Sequence, residues 1–197
     1  MPAFPKTLSM LFALTLAMPL AAQETAAPET TEQSTSPAVA PAAASEPYVK
    51  ERFGDWQLRC VKVEEGPEPC QLYHLLNDKA TGNPIMEMTI LPLPEGGEAV
   101  AGATVIVPLE TLLTQKLNLT IDSGKTKRFD FTFCAEVGCV ARMGLTEDDL
   151  AAFRKGNVAT LTVVPVADPS RTVDVEMSLS GFTAGFEAVQ AAMPKAE

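Results

Sequence analysis

The sequence has one histidine and one tryptophan among its 197 residues, and the scarcity of histidine limits the chemistry available to the chain. A Ser-His-Asp triad would have to use His74. This residue lies on the same face of a predicted strand as Leu72 and Leu76, which is typical of a packed strand position. No nucleophile elbow, phosphate-binding glycine loop or paired-carboxylate spacing accompanies it. We therefore expect a protein that is not an enzyme and has no metal or other cofactor.

Basic residues are also scarce. The chain has 15 Lys and Arg against 25 Asp and Glu, so its formal net charge is −10 at pH 7. Nucleic acids and anionic lipids both attract positively charged protein surfaces. The charge balance therefore disfavours both as partners, and it mainly indicates solubility.

The N-terminal apolar run is too short to cross a membrane. It extends from Leu8 to Ala17, whereas a spanning helix needs about 20 apolar residues. Lys6 precedes the run and small residues, Ala21 and Ala22, follow it, which is the arrangement of a secretory signal peptide. We predict that residues 1–22 are a signal peptide and that the mature chain has no transmembrane span.

Residues 23–47 contain no aromatic residue, no lysine and no arginine. The segment is rich in Ala, Thr, Pro and Glu, a composition that offers little apolar surface for a core. We predict that residues 23–47 form a disordered tail, which leaves residues 48–193 for a single folded domain.

Within residues 48–193, apolar and polar residues alternate in short segments, most clearly at Trp56–Cys60 and Val173–Leu179. Turn signals separate about eight or nine such segments, and strands do not alternate with helices. This indicates an all-β sandwich with one or two short helices. Ala103–Val107 is nearly all apolar, so we expect it to be covered on both faces.

The clearest predicted helix begins at Thr146, where Asp149 can complete a capping box. Gly156 follows its last turn and is expected to adopt a left-handed cap. A second small helix is expected from Phe182 to Met193.

Phenylalanines alternate with polar residues in the stretch from Phe129 to Phe133, just before two closely spaced cysteines. Because strand side chains point alternately to opposite faces, we expect one strand with an aromatic face that fills the core. A disulfide across the following turn would hold that corner against the core.

The four cysteines of a predicted exported chain are most simply two disulfides. Three pairings are possible, and nearness in sequence favours Cys60 with Cys70 and Cys134 with Cys139. Cross-pairing would close longer loops, so loop entropy does not exclude it. Oxidised cysteines do not bind zinc, which weakens a metal-site interpretation.

The alternative is a redox centre at Cys134 and Cys139. Thioredoxin-like chemistry uses two intervening residues at a helix N-terminus, which lowers the pKa of the reactive thiol. Here four residues intervene, Glu136 would oppose a thiolate, and no helix is predicted to follow at once. A structural disulfide is the preferred interpretation, and a periplasmic thiol-disulfide enzyme or folding factor is the alternative.

The order of several short segments resembles the invasion-associated locus B (IalB) family of exported bacterial proteins. The resemblance covers roughly residues 50–190. It is carried by Gly54-Asp55-Trp56 with Cys60, Cys70, Pro108-Leu109 with Leu112, Ile121-Asp122, Phe133-Cys134 with Gly138-Cys139, Gly156, and Leu179-Ser180-Gly181-Phe182.

The resemblance implies an immunoglobulin-like sandwich, export to the periplasm or outer membrane, and, in some pathogens, a part in host-cell invasion. It brings no established catalytic residues. We expect a periplasmic, outer-membrane-associated or secreted protein, and any association with the outer membrane would be peripheral. It would bind an unidentified envelope or host-surface component. The candidate contact loops are the charged ones beside the cysteines, with Glu64, Glu65 and Glu68 in one and Glu136 in the other.

Overall fold

The computed structural model describes residues 46–193, which form eleven strands, two α-helices and one 3-10 helix at Leu113–Gln115. The predicted signal peptide and nearly all of the predicted tail lie outside the described residues. The elements are β1 (Tyr48–Phe53), β2 (Trp56–Cys60), β3 (Cys70–Asn77), β4 (Pro84–Pro92), β5 (Ala101–Val107), β6 (Leu117–Ile121), β7 (Lys127–Phe129), β8 (Phe131–Ala135), β9 (Gly138–Leu145), α1 (Glu147–Lys155), β10 (Val158–Val163), β11 (Val173–Ser178) and α2 (Phe182–Ala192).

The first sheet is antiparallel and has seven strands in the order β1-β2-β3-β4-β5-β9-β8. Its first five strands follow chain order, so each connects to its neighbour by a hairpin. β9 then pairs with β5, and Cys139 lies opposite Val107. Successive strands therefore run up and down, which decides at which end of the sheet each loop lies.

The second sheet is also antiparallel and has four strands in the order β11-β10-β6-β7. The inward residues of both sheets join one hydrophobic cluster, which also includes Leu150 and Phe153 of α1 and Phe182 and Phe186 of α2. An all-β sandwich is thus confirmed. Its strand count is higher than predicted, partly because β1 was not recognised as a strand.

The aromatic centre of this core is built around Trp56 and Phe182, both fully buried. Their ring centroids lie 5.2 Å apart, and Phe182 also contacts Phe153 at 5.1 Å and Phe186 at 5.7 Å. Each such pair stabilises a fold by about 0.5 to 1.5 kcal/mol beyond the burial of its area. The Trp56 Nε1–H donates to the Ser178 carbonyl at 3.0 Å, so this contact joins β2 to β11.

Helix α1 has the predicted capping box, in which Thr146 Oγ1 accepts from the Asp149 amide and the Asp149 carboxylate accepts from the Thr146 amide. Burial raises the pKa of Asp149, but hydrogen bonds from Lys127 and Thr146 outweigh it and hold this pKa below its usual range. The left-handed cap predicted at Gly156 is wrong, because its φ is −74°. Glycine is needed there because a Cβ would lie 2.5 Å from Ile121 Cγ2.

The predicted aromatic strand is divided between the two sheets. Phe129 ends β7 in the second sheet, and Phe131 begins β8 in the first. Phe129 and Phe131 are half-buried against the core, and Phe133 is 46% exposed. The expectation of one strand is wrong for all three residues, because the chain changes sheets at Asp130, and the expectation of a buried ring is wrong for Phe133 only, because the β8 pairing shifts register before it. Phe129 and Phe131 still pack against the core.

Strand β5 is buried on one face only. Ala103, Val105 and Val107 are in the core, whereas Thr104 and Ile106 are half-buried on the outer face. The expectation that both faces are covered is therefore wrong. The reason is that β5 lies inside an antiparallel sheet whose second face has no covering layer in residues 46–193.

Candidate functional site

The turn between β8 and β9 projects an apolar side chain from one end of the first sheet. Glu136 and Val137 form this turn, and Val137 is 75% exposed. The Cys134–Cys139 disulfide joins the two strands beside it, with Cα atoms 4.0 Å apart. Gly138 has a φ of +138°, and a Cβ there would lie 2.4 Å from the Val107 carbonyl oxygen. The turn is therefore held against the end of β5.

Apolar residues from neighbouring strands continue the surface around Val137. A shallow groove of about 320 Å³ is lined by Leu75, Ile85, Ile106 and Pro108 together with Val137. Leu75 is 38% exposed although it is a leucine on a central strand.

A second, smaller groove of about 140 Å³ shares Ile85 and Pro108 with the first and reaches Val163 and Val173 of the second sheet. The two grooves thus form one mainly apolar surface across the ends of both sheets, whose lining also includes Glu87 and Glu110. We call this surface the Val137 end.

The acidic loop between β2 and β3 lies at the opposite end of the first sheet. Glu64 and Glu65 are exposed, and the Cys60–Cys70 disulfide closes the base of the loop. Glu68 is half-buried, because its carboxylate accepts a hydrogen bond from the Tyr48 hydroxyl at 2.5 Å and pairs with Lys50 at 3.3 Å. The Tyr48 hydrogen bond also holds the pKa of Glu68 below its usual range. Glu68 therefore fastens the loop to β1.

The two predicted contact loops do not form a common surface. β3, which starts at the acidic loop, runs antiparallel to β4, and β9 starts at the Val137 turn. The alternating strand directions place the loop containing Glu64 and the turn containing Glu136 at opposite ends of the sheet. The prediction relied on charge and did not identify the apolar neighbours of Glu136. In the sequence, the only local indication of this apolar surface is Val137, an apolar residue inside a tight turn.

His74 is a buried residue with a structural environment. Its side chain is on β3 and only 7% of the residue is exposed. The centroid of its ring lies 4.9 Å from that of Trp56, with the two ring planes nearly perpendicular. Burial lowers the pKa of His74, against the opposing effects of the Leu75 and Ser178 carbonyls and of Asp55. A general base must reach its substrate, and this imidazole faces the core.

The cysteine pair at the Val137 turn lacks the features of a reactive dithiol. Cys134 and Cys139 lie directly opposite each other on adjacent strands. Helix α1 begins at Glu147, beyond the far end of β9, so its N-terminus does not lie at this turn to stabilise a thiolate. Within residues 46–193, no group of three or more His, Cys, Asp or Glu side chains is arranged to hold a metal ion.

A family model for the invasion associated locus B (IalB) protein matches residues 56–190. The chain belongs to the IalB family. Among curated proteins, invasion protein B homologs from two Brucella abortus strains, 2308 and 9-941, are each 25% identical over 143 residues, which is 73% of this chain and 80% of theirs.

The fold of the chain is similar to that of a solved relative. The crystal structure of invasion associated protein B from Bartonella henselae superposes with a TM-score of 0.63 at 21% identity, covering 75% of this chain and 96% of that one. This similarity supports the two-sheet sandwich fold of this IalB-family chain. The described part of the chain also has no helix that is both long and apolar enough to cross a membrane.

Two of the segments that carry the family resemblance contact each other. A Cβ on Gly54 would lie 2.6 Å from the Ser180 carbonyl oxygen, and a Cβ on Gly181 would lie 2.0 Å from the Phe53 carbonyl oxygen. Both glycines have positive φ, +56° and +88°. The β1–β2 turn and the β11–α2 turn are therefore in backbone contact, and Trp56 and Phe182 directly follow them in the chain, which gives these segments a structural role.

Proposed function

We propose that this IalB-family chain is an exported, non-catalytic envelope protein that binds a protein of the envelope or of a host-cell surface through the Val137 end. Its family is named for invasion, and its curated relatives are named as invasion proteins. The observation that carries the proposal is the rigid apolar surface at this end, with Val137 75% exposed on a disulfide-closed turn. Contiguous exposed apolar surface is typical of sites of protein interaction.

Affinity capture tests the surface. Solubilised envelope proteins and host-membrane proteins would be captured with the wild-type chain, with Val137→Asp, and with the matched control Glu64→Lys/Glu65→Lys at the opposite end. We expect Val137→Asp to lose the captured partner and the control to retain it. All three should melt at similar temperatures, because every substituted residue is exposed.

The opposite pattern of capture would contradict the choice of surface. Loss of the partner only in Glu64→Lys/Glu65→Lys would assign binding to the acidic loop. Insulin reduction by the wild-type chain that disappears in Cys134→Ala would contradict the non-catalytic proposal, since it would show that Cys134 and Cys139 exchange disulfides.

Export is tested separately by sequencing the N-terminus of the mature protein from a periplasmic fraction. We expect it to begin close to Gln23. Recovery of the chain in the cytoplasm with its first residues intact would contradict export.

A further inference from the structure

A cleft of about 370 Å³ lies between helix α1 and the β6–β7 hairpin, at the end of β9 that is remote from Val137. Buried Leu119, Leu145 and Phe153 form its apolar floor, and Ile121 and Ala152 lie nearer its mouth. Its volume is at the small end of the range for small-molecule sites, about 300 to 1,000 Å³. The cleft is thus large enough for a small apolar group and belongs to neither of the surfaces described above.

Two polar contacts hold the walls of the cleft in place. Asp122, at the end of β6, accepts hydrogen bonds from the amides of Asn157 at 3.2 Å and Val158 at 3.1 Å. Across the cleft, Lys127 of β7 pairs with Asp149 of α1. The hairpin is therefore tied to the helix and to the strand that follows it, which fixes the walls of the cleft.

Asp122 and Asp149 are engaged in these contacts, whereas two lysines that line the cleft are not. These are Lys125 and Lys155. Within residues 46–193 neither lysine has a carboxylate within ion-pair distance, whereas Lys127 does. The charged side chains that line the cleft are therefore three lysines and two aspartates, a net charge of +1, in a chain whose formal net charge is −10.

We propose that this cleft binds a medium-chain carboxylic acid as a free monomer, with the alkyl chain on the floor formed by Leu119, Leu145 and Phe153 and the carboxylate between Lys125 and Lys155. Apolar walls with a few convergent polar groups are the usual construction of a small-molecule site. The alkyl chain gains by leaving water, and the carboxylate stays at the mouth, where it is hydrated and faces the two ammonium groups.

The occupant is a single molecule and not a membrane surface, because the apolar residues Leu119, Leu145 and Phe153 are buried at the floor of the cleft, where a flat bilayer does not reach them. The small volume favours a medium chain over a long one, since a long chain would leave part of its apolar surface in water.

Isothermal titration of the purified protein with decanoate, below the concentration at which decanoate forms micelles, tests the site. We expect saturable binding with one site per chain. Lys125→Gln/Lys155→Gln should weaken it about tenfold, which is within the range for the combined loss of two exposed ion pairs. Ala152→Trp should abolish it by filling the mouth. The matched control Lys62→Gln/Lys79→Gln removes two exposed lysines elsewhere and should leave the affinity unchanged.

Decanol, which has the same chain without the charge, should bind more weakly than decanoate and should not respond to the lysine variant. Lys155 can also stabilise α1, because it lies at the helix C-terminus. Thermal melts of each variant show whether it is folded, so that a loss of binding is not confused with a loss of stability. The proposal is overturned by absence of saturable decanoate binding, by equal affinity in the wild type and Lys125→Gln/Lys155→Gln, or by equal affinity for decanol. Binding only to vesicles containing phosphatidylglycerol would also overturn it, since that result indicates a membrane surface.

Discussion

At the scale of single residues, His74 has the most unusual environment in the described part of the chain. Its Nδ1 lies 3.1 Å from the Leu75 carbonyl oxygen, and its buried Nε2 has no hydrogen-bond partner within residues 46–193. Burial disfavours the imidazolium form, so the pKa of the ring is lowered. The histidine therefore packs as a neutral ring against Trp56, and its protonation lowers the stability of the folded state.

This environment predicts a pH dependence of stability. Unfolded His74 titrates near a pKa of about 6.5. Below that pH the unfolded chain binds a proton that the folded chain does not, so the stability due to neutral His74 is present above about 6.5 and is lost as pH falls towards the lowered folded pKa. We expect the wild type to lose more stability than His74→Phe between pH 7.5 and pH 5, as measured by urea unfolding.

Carboxylate titrations are common to both proteins, so they cancel when the two free energies of unfolding are subtracted at each pH. Any change in packing caused by the phenylalanine adds an offset that does not depend on pH. Parallel stability profiles for the wild type and the variant would show that His74 does not titrate differently in the folded and unfolded states.

At the scale of elements, the contact between the β1–β2 turn and the β11–α2 turn joins the first strand pair to the last helix. Gly181 is the tightest point, because its φ is +88° and a Cβ would lie 2.0 Å from a backbone oxygen. Backbone atoms cannot move away as a flexible side chain can. The substitution must therefore separate the two turns and disturb Trp56 and Phe182, which directly follow them in the chain.

We expect Gly181→Ala to lower the free energy of unfolding by about 2 to 4 kcal/mol, from backbone strain and steric overlap together. Gly66→Ala is the matched control, because Gly66 has the same φ of +88° and nothing within 4 Å of the added Cβ. It should cost only about 1 to 2 kcal/mol. Chemical denaturation measures both values, and equal losses would show that strain alone explains the effect.

At the scale of the whole molecule, the two proposed binding regions lie at opposite ends of β9. Val137 immediately precedes that strand, and Leu145, its last residue, lines the cleft beside α1. An eight-residue strand separates them by roughly 20 to 25 Å. Sites this far apart without shared side chains usually behave additively.

We therefore expect the two regions to be energetically independent. Val137→Asp should leave the affinity for decanoate unchanged, and Lys125→Gln/Lys155→Gln should leave partner capture unchanged. Titration and capture with both variants measure this directly. A loss of decanoate affinity in Val137→Asp, in a variant whose melting curve is normal, would reveal coupling through β9.

Several features of the chain follow from its sequence alone, because they depend on neighbours along the chain. Alternation at period two predicts half-buried strands such as Trp56–Cys60, and the residues at Thr146 and Asp149 predict the N-terminus of α1. The pairing in the structure, Cys60 with Cys70 and Cys134 with Cys139, is the one that nearness in sequence favoured. The segments shared with the IalB family are likewise visible in the sequence.

Other features were decided only by the tertiary structure. The phenylalanines from Phe129 to Phe133 alternate as in one strand, but the chain changes sheets at Asp130, and nothing local to these residues signals that change. Gly156 resembles a left-handed cap, but it is glycine because the helix end approaches Ile121. The Val137 end and the cleft beside α1 were not predicted, because each combines residues far apart in the sequence. The direction and pairing of whole strands bring such residues together, and these are properties of the folded chain and not of any single segment.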